Sequence, residues 1–87
     1  MRRPVTVYST EFCGYCRAAK RFLESKGIPY AEIDLTADPA ERDRISQLAQ
    51  MYTVPMIFIG DECIAGYMEL VGLARSGKLQ GMIDGAD

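Results

Sequence analysis

The sequence contains no histidine and only three cysteines among its 87 residues. A structural zinc site takes about four ligands, most of them cysteine or histidine. This scarcity argues against a zinc site within one chain. An odd number of cysteines also fits a framework of paired disulfides poorly.

An excess of positive charge and a long apolar run are missing as well. The formal net charge is −2, whereas a basic surface is the usual mark of a nucleic-acid-binding domain. Arg2-Arg3 is followed at once by Pro4 and a mixed run, which fits neither a signal peptide nor a membrane span. We therefore predict a cytoplasmic protein with no nucleic-acid or membrane partner, in a compartment where thiols stay reduced.

The composition is typical of a single globular domain covering residues 1–87, with 48% hydrophobic and 25% charged residues. Apolar residues alternate in some segments and recur every three to four residues in others. These patterns predict strands at 4–9, 30–35, 56–59 and 62–65, and helices from 15 up to Gly27, from 39 up to Pro55 and from 66 up to Gly77.

Each of the first two predicted helices has an apolar face, formed by Tyr15, Ala18, Ala19, Phe22 and Leu23 in one and by Ile45, Leu48, Ala49 and Tyr52 in the other. Asp38 and Pro39 form an N-cap and a first helical position for the second helix. The helical connection between the first two strands implies parallel pairing, and the two-residue connection between the last two implies a hairpin. We predict an α/β fold of order β-α-β-α-β-β-α, a four-stranded mixed sheet with helices on both faces.

Cys13 and Cys16 lie at the junction of the first strand and the first helix. Free backbone N–H groups and the helix dipole favour a negative charge on a sulfur there, and Arg17 and Lys20 add positive charge nearby. Cys16 follows by nearly one helical turn, so its sulfur can reach that of Cys13. We expect Cys13 to attack a disulfide and the less exposed Cys16 to resolve the mixed disulfide. A structural disulfide is disfavoured by the compartment and by the small loop it would close.

A second segment of interest is Thr53-Val54-Pro55, which precedes the third strand. Its simplest interpretation is a proline that ends a helix and begins a strand. The same proline would leave backbone groups unpaired, and an extended peptide could add along Val54 as an extra strand. Cys63 lies in an apolar run and is interpreted as a core or strand cysteine.

These residues together resemble the glutaredoxin family. The resemblance rests on C-x-Y-C after the first strand, T-V-P before the third and a glycine turn that opens the last helix, and it covers residues 4–80. It implies a thioredoxin-like fold. It also implies reduction of protein disulfides and glutathione mixed disulfides, with glutathione as the electron donor.

The resemblance implies a role for each matching position. Cys13 is similar to the family's nucleophile and Cys16 to its resolving cysteine. Pro55 resembles a cis-proline that presents the Val54 backbone to the glutathione cysteine, and the last helix would hold the γ-glutamyl carboxylate at its N-terminus. The implied glutathione-binding residues are Tyr15, Arg42, Thr53, Val54, Pro55, Gly66, Tyr67 and Met68. For Arg42, a solvated helix charge is an equal alternative.

Three positions depart from the family's pattern. Met68 lacks the polar side chain expected there, Thr10 replaces a common lysine, and Gly14 replaces a common proline between the two cysteines. A small residue at position 14 resembles family members that hold a [2Fe-2S] cluster between two protomers with Cys13 and glutathione. The altered helix start leaves a third alternative, a glutaredoxin-like protein reduced by thioredoxin reductase. We expect a monomer unless a cluster is bound.

Overall fold

The computed structural model describes residues 3–11, 13–64 and 66–85. Its elements follow the order β1 Val5–Ser9, α1 Gly14–Ser25, β2 Ala31–Asp34, α2 Pro39–Ala49, β3 Met56–Ile59, β4 Glu62–Ile64, α3 Tyr67–Arg75 and α4 Lys78–Asp84. Among the described residues, no helix is both long and apolar enough to cross a membrane.

The four strands form one mixed sheet in the order β2-β1-β3-β4. β1 pairs with β2 in parallel, and both the β1–β3 and β3–β4 pairs are antiparallel. This arrangement confirms the predicted fold class and the predicted hairpin. The predicted end of the fourth strand, Ala65, lies outside the described residues.

The main core lies between one face of the sheet and helices α1, α3 and α4. Val5 and Val7 point to this face because alternate residues of a strand share a side. Leu23 of α1 is fully buried here, a burial that stabilises the fold by about 1.5–3 kcal/mol. The buried members of this cluster are Val5, Val7, Ala19, Leu23, Ile28, Ile57, Ile59, Ile64, Leu70, Leu79 and Ile83.

Helix α2 covers the opposite face of the sheet, around Leu35, Ile45 and Met56. Its predicted start is confirmed: the Asp38 carboxylate accepts a hydrogen bond from the Glu41 N–H at 3.1 Å, and Pro39 is the first helical residue. The predicted apolar face is partly wrong, because Leu48 and Tyr52 are 63% and 64% exposed. Leu48 lies about 100° around the helix from the centre of the buried stripe. Tyr52 follows the end of α2 and is outside its helical phase.

Helix α4 was not predicted, since the last helix was expected to end at Gly77. Gly77 does end α3, with φ of 78°, but a further short helix begins at Lys78. Leu79 and Ile83 are buried and bring α4 onto the main core. The backbone N–H of Arg3 donates to the Ile83 carbonyl at 2.6 Å and joins the two ends of the fold.

Candidate active site

Cys13 is the N-cap residue of α1, directly after β1 and its connecting loop. Its backbone is extended, with φ −100° and ψ 107°, and its sulfur accepts a hydrogen bond from the Cys16 N–H at 3.2 Å. The side chain is half-buried. A backbone donor and a helix N-terminus directed at a sulfur both favour negative charge on it. The position predicted for a nucleophile is therefore partly accessible and lies at the N-terminus of a helix.

Cys16 lies behind Cys13 and is only 1% exposed. Burial, followed by the interaction with the Cys13 side chain, raises the pKa of Cys16 to about 12, while the Thr10 backbone and the Lys20 charge act in the opposite direction. The two thiols thus differ in environment, as the sequence predicted. Cys13 is partly exposed, whereas burial favours the protonated form of Cys16 by raising its pKa.

The loop before β3 approaches the exposed sulfur. The Val54–Pro55 peptide bond is cis, and Pro55 is buried. The Val54 carbonyl accepts a hydrogen bond from the Cys13 thiol at a sulfur–oxygen distance of 3.7 Å. A substrate sulfur bonded to Cys13 would therefore lie beside the Val54 backbone.

Helix α3 begins beside the same loop. Gly66 is its N-cap, with φ of 144° and no side-chain hydrogen bond to cap the helix. This φ is a conformation that side-chain-bearing residues rarely adopt. A methyl group on Gly66 would lie 3.8 Å from the Pro55 carbonyl oxygen. The backbone N–H groups of the first turn of α3 are thus presented next to the cis-proline loop.

A groove of about 550 Å³ runs between the cis-proline loop and the start of α3, lined by Tyr15, Met51, Thr53, Val54, Pro55, Gly66, Tyr67, Met68 and Glu69. Seven of the eight positions implied for glutathione lie along it. Tyr15 is exposed, and its ring is 6.1 Å from that of Tyr67, centroid to centroid. Met51 and Glu69 were not predicted: a methionine after a helix and an acidic residue in a first turn carry no distinctive sequence signal.

Arg42 is the predicted position that does not line the groove. Its guanidinium donates to the Tyr52 carbonyl at 3.1 Å and so holds the chain just before Thr53. Neither of the two sequence interpretations, a carboxylate ligand or a solvated charge, anticipated this contact.

Lys20 and Arg17 follow the dithiol along α1, and the third cysteine, Cys63, lies in β4. Lys20 forms an ion pair with Glu32 at 2.6 Å, whereas Arg17 is exposed. Cys63 is half-buried in β4, and its thiol donates to the Ile64 carbonyl at 3.6 Å. Burial raises the pKa of Cys63. Within the described ranges, no cluster of three or more histidine, cysteine, aspartate or glutamate residues could hold a metal ion.

Two cysteines lie three residues apart, one partly accessible at a helix N-terminus and the other buried behind it. The accessible one, Cys13, contacts the Val54 carbonyl directly before the cis-proline. This fold and this site define a thiol–disulfide oxidoreductase with a thioredoxin-like fold. The sequence model of the Glutaredoxin family matches residues 5–64. The chain belongs to the glutaredoxin family.

Individual relatives agree with this assignment. A glutaredoxin of Pseudomonas aeruginosa is 38% identical over 80 residues, which are 92% of this chain and 95% of that protein. The crystal structure of a buckwheat glutaredoxin–glutathione complex superposes with a TM-score of 0.84 at 32% identity, covering 93% of this chain and 76% of that one. A structure described as "Metal Binding of Glutaredoxins" has a TM-score of 0.73 at 34% identity and covers 95% of this chain and 90% of that one.

Proposed function

We propose that this protein reduces protein disulfides and glutathione mixed disulfides, with glutathione as the electron donor. One observation carries the proposal: the groove runs from the Val54 backbone, 3.7 Å from the Cys13 sulfur, to the uncapped start of α3. A peptide thiol with a carboxylate at its end has the chemistry for both places. The buckwheat relative was solved with glutathione.

Glutathione would lie along the groove with its cysteine beside Val54. Its γ-glutamyl carboxylate would accept hydrogen bonds from the first-turn N–H groups of α3, where the helix dipole favours an anion. The carboxylate of Glu69 lies in that first turn and would attract the γ-glutamyl ammonium group. Arg42 would contribute through the Tyr52 carbonyl, or bind the glycine carboxylate if it released that carbonyl.

The reaction follows from the two thiols. The Cys13 thiolate attacks a substrate disulfide, forms a mixed disulfide and releases one substrate thiol. In the dithiol route, Cys16 attacks the Cys13 sulfur, the second substrate thiol leaves, and a Cys13–Cys16 disulfide remains. Two glutathione molecules then reduce this disulfide and become glutathione disulfide. With a glutathione mixed disulfide as substrate, Cys13 alone suffices.

The partners are glutathione and proteins that carry disulfides or glutathionylated cysteines. Residues 1–87 would act as one domain, as a monomer in the cytoplasm. Such a protein would serve cell redox homeostasis and electron transport to its client proteins.

A [2Fe-2S] carrier is the second candidate. A side chain on Gly14 would meet nothing within 4 Å, so the turn beside the half-buried Cys13 is open. The relative described for metal binding also favours it. Thiolates are the natural ligands of iron–sulfur clusters. Cys13 would supply one thiolate, and the remaining ligands would come from glutathione and a second protomer.

The test is turnover of a small glutathione mixed disulfide by anaerobically purified protein, with glutathione and glutathione reductase, after its visible spectrum is recorded. Fast turnover by a colourless monomer is expected. A brown dimer with negligible turnover would favour the cluster carrier instead. A colourless protein with negligible turnover would contradict both, and turnover with thioredoxin reductase would then identify the donor.

A further inference from the structure

Three polar side chains form a network on the α1 side of the sheet. The buried Ser9 hydroxyl donates to Oε2 of Glu32 at 2.9 Å, and the Lys20 ammonium donates to the same oxygen at 2.6 Å. The hydrogen bond from Lys20, and to a smaller extent that from Ser9, holds the pKa of Glu32 below its ordinary value. The network fixes the end of a long, flexible lysine side chain between β1, β2 and α1.

This network lies beside Cys16. Lys20 follows Cys16 by four residues on α1, and residues four apart are neighbours on one helix face. Helix side chains lean toward the N-terminus, so Lys20 extends toward the turn that carries Cys16. A thiolate formed at the 1%-exposed Cys16 has little access to water, and a nearby fixed cation compensates for that loss. The Lys20 charge indeed lowers the pKa of Cys16 against the effect of burial.

We propose that Lys20, held in place by Glu32 and Ser9, is a positioning residue that assists Cys16 in the resolving step. This inference rests on the proposed dithiol function and assigns to Lys20 an action on Cys16. The sequence had instead suggested an action on Cys13.

The step in question exchanges one disulfide for another. Cys16 attacks the sulfur of Cys13, the bond between Cys13 and the substrate sulfur breaks, and the Cys13–Cys16 bond forms. The proton of Cys16 is transferred to the departing substrate thiolate, so that the substrate leaves as a thiol. Over the initial attack and this step together, the substrate disulfide is reduced by two electrons and the dithiol is oxidised by two.

Other charges act on this group of side chains. The pKa of Cys16 is raised by the charge interaction with Cys13 and lowered by that with Lys20. The pKa of Glu32 is lowered by the charge of Lys20 and raised by that of Asp34. Arg21 is the next residue on α1 after Lys20 and is exposed. It carries the same charge but lies about 100° around the helix, which makes it a matched control.

The experiment mixes reduced protein rapidly with a peptide disulfide and quenches samples with acid. Mass spectrometry then separates the Cys13 mixed disulfide from the closed Cys13–Cys16 form. For Lys20→Gln, the ratio of the closure rate to the rate of mixed-disulfide formation is expected to fall about threefold for each unit by which the Cys16 pKa rises. The factor is about three because a thiol of higher pKa is also a better nucleophile, which offsets half of the tenfold loss of thiolate.

Two variants separate charge from shape. Lys20→Arg keeps the cation and is expected to restore the ratio, and Arg21→Gln is expected to leave it unchanged. The inference would be overturned by an unchanged ratio in Lys20→Gln, by an equal fall in Arg21→Gln, or by no rescue in Lys20→Arg. Absence of both the Cys13 mixed disulfide and the closed Cys13–Cys16 form in the parent protein would instead refute the proposed function itself. Circular dichroism of each variant confirms that it is folded.

Discussion

Helices α1 and α3 both begin at the groove, but they begin in opposite ways. The first turn of α1 is capped by a sulfur, since Cys13 accepts the Cys16 N–H at 3.2 Å. The first turn of α3 follows Gly66 and has no side-chain cap. In one helix an N-terminal donor acts on a sulfur of the protein, and in the other the first turn has no side-chain cap and lines the groove.

The difference shows how one physical property serves two purposes. The positive end of a helix stabilises any anion placed there, whether a thiolate or a carboxylate. The cap decides which of the two anions a helix start can stabilise. A sulfur caps α1, whereas the start of α3 has no side-chain cap and leaves room for a carboxylate. Changes at Cys13, the cap of α1, should therefore affect chemistry, and changes at the start of α3 should affect binding.

The largest effect is expected from the sulfur that caps α1. Cys13→Ser should abolish turnover of a glutathione mixed disulfide, because the attacking atom is lost. Cys16→Ser should retain it, because the proposed route for this substrate needs only Cys13. Both are measured in the assay coupled to glutathione reductase. Cys63→Ser is the control for the substitution itself, since Cys63 lies in β4 away from the groove. Retained turnover in Cys13→Ser would refute the assigned roles.

The next effect concerns the start of α3. Gly66→Ala forces a side chain into φ 144°, which should lower the free energy of unfolding by about 1–3 kcal/mol and raise the KM for glutathione. Urea unfolding and the coupled assay measure the two effects.

Gly72→Ala is the matched control for Gly66→Ala. Gly72 lies within α3 and has nothing within 4 Å of an added methyl group. It should gain about 0.5–1 kcal/mol of stability and keep its KM. Equal KM values in the two variants would contradict a binding role for the start of α3.

Features with a strong local signal could be predicted from the sequence. The alternation of Val5 and Val7 gave the first strand its buried face, Asp38-Pro39 marked the start of α2, and the C-x-x-C spacing located the dithiol. Each of these depends on neighbouring residues or on helix and strand periods.

Features that depend on tertiary packing could not be predicted. Helix α4 carries only two buried apolar residues, too few to show a period, and it is held through Arg3. The Arg42 contact with Tyr52 and the place of Met51 in the groove need the path of the 50–55 loop, which no local pattern encodes. Leu48 looked apolar enough for the core but lies to the side of the buried stripe.

A smaller effect separates the two cysteines of α1. Alkylation by iodoacetamide requires an accessible thiolate, and Cys16 is buried with its pKa raised to about 12. Its thiolate fraction rises about tenfold per pH unit below that value, so Cys16 should stay unmodified at pH 8 and begin to react only in strong alkali. Cys13 should react first and the half-buried Cys63 more slowly. Peptide mass spectrometry measures the order, and guanidinium-unfolded protein, in which all three should react, is the control.

The smallest effect is expected from Gly14→Pro at the first helical position of α1. Gly14 is exposed with open space around it, and proline is favoured at this position because its missing N–H would have no partner in the helix. The preceding Cys13 already has the extended φ of −100° and ψ of 107° that a following proline requires. Thermal or urea unfolding should therefore show a gain of about 0.4–1 kcal/mol, with Gly14→Ala as the control for the added methyl group. The KM for glutathione should not change, since Gly14 does not line the groove. If Gly14→Pro raised the KM as much as Gly66→Ala, the start of α1 would affect glutathione binding as strongly as the start of α3. The proposed difference between the two helix starts would then be wrong.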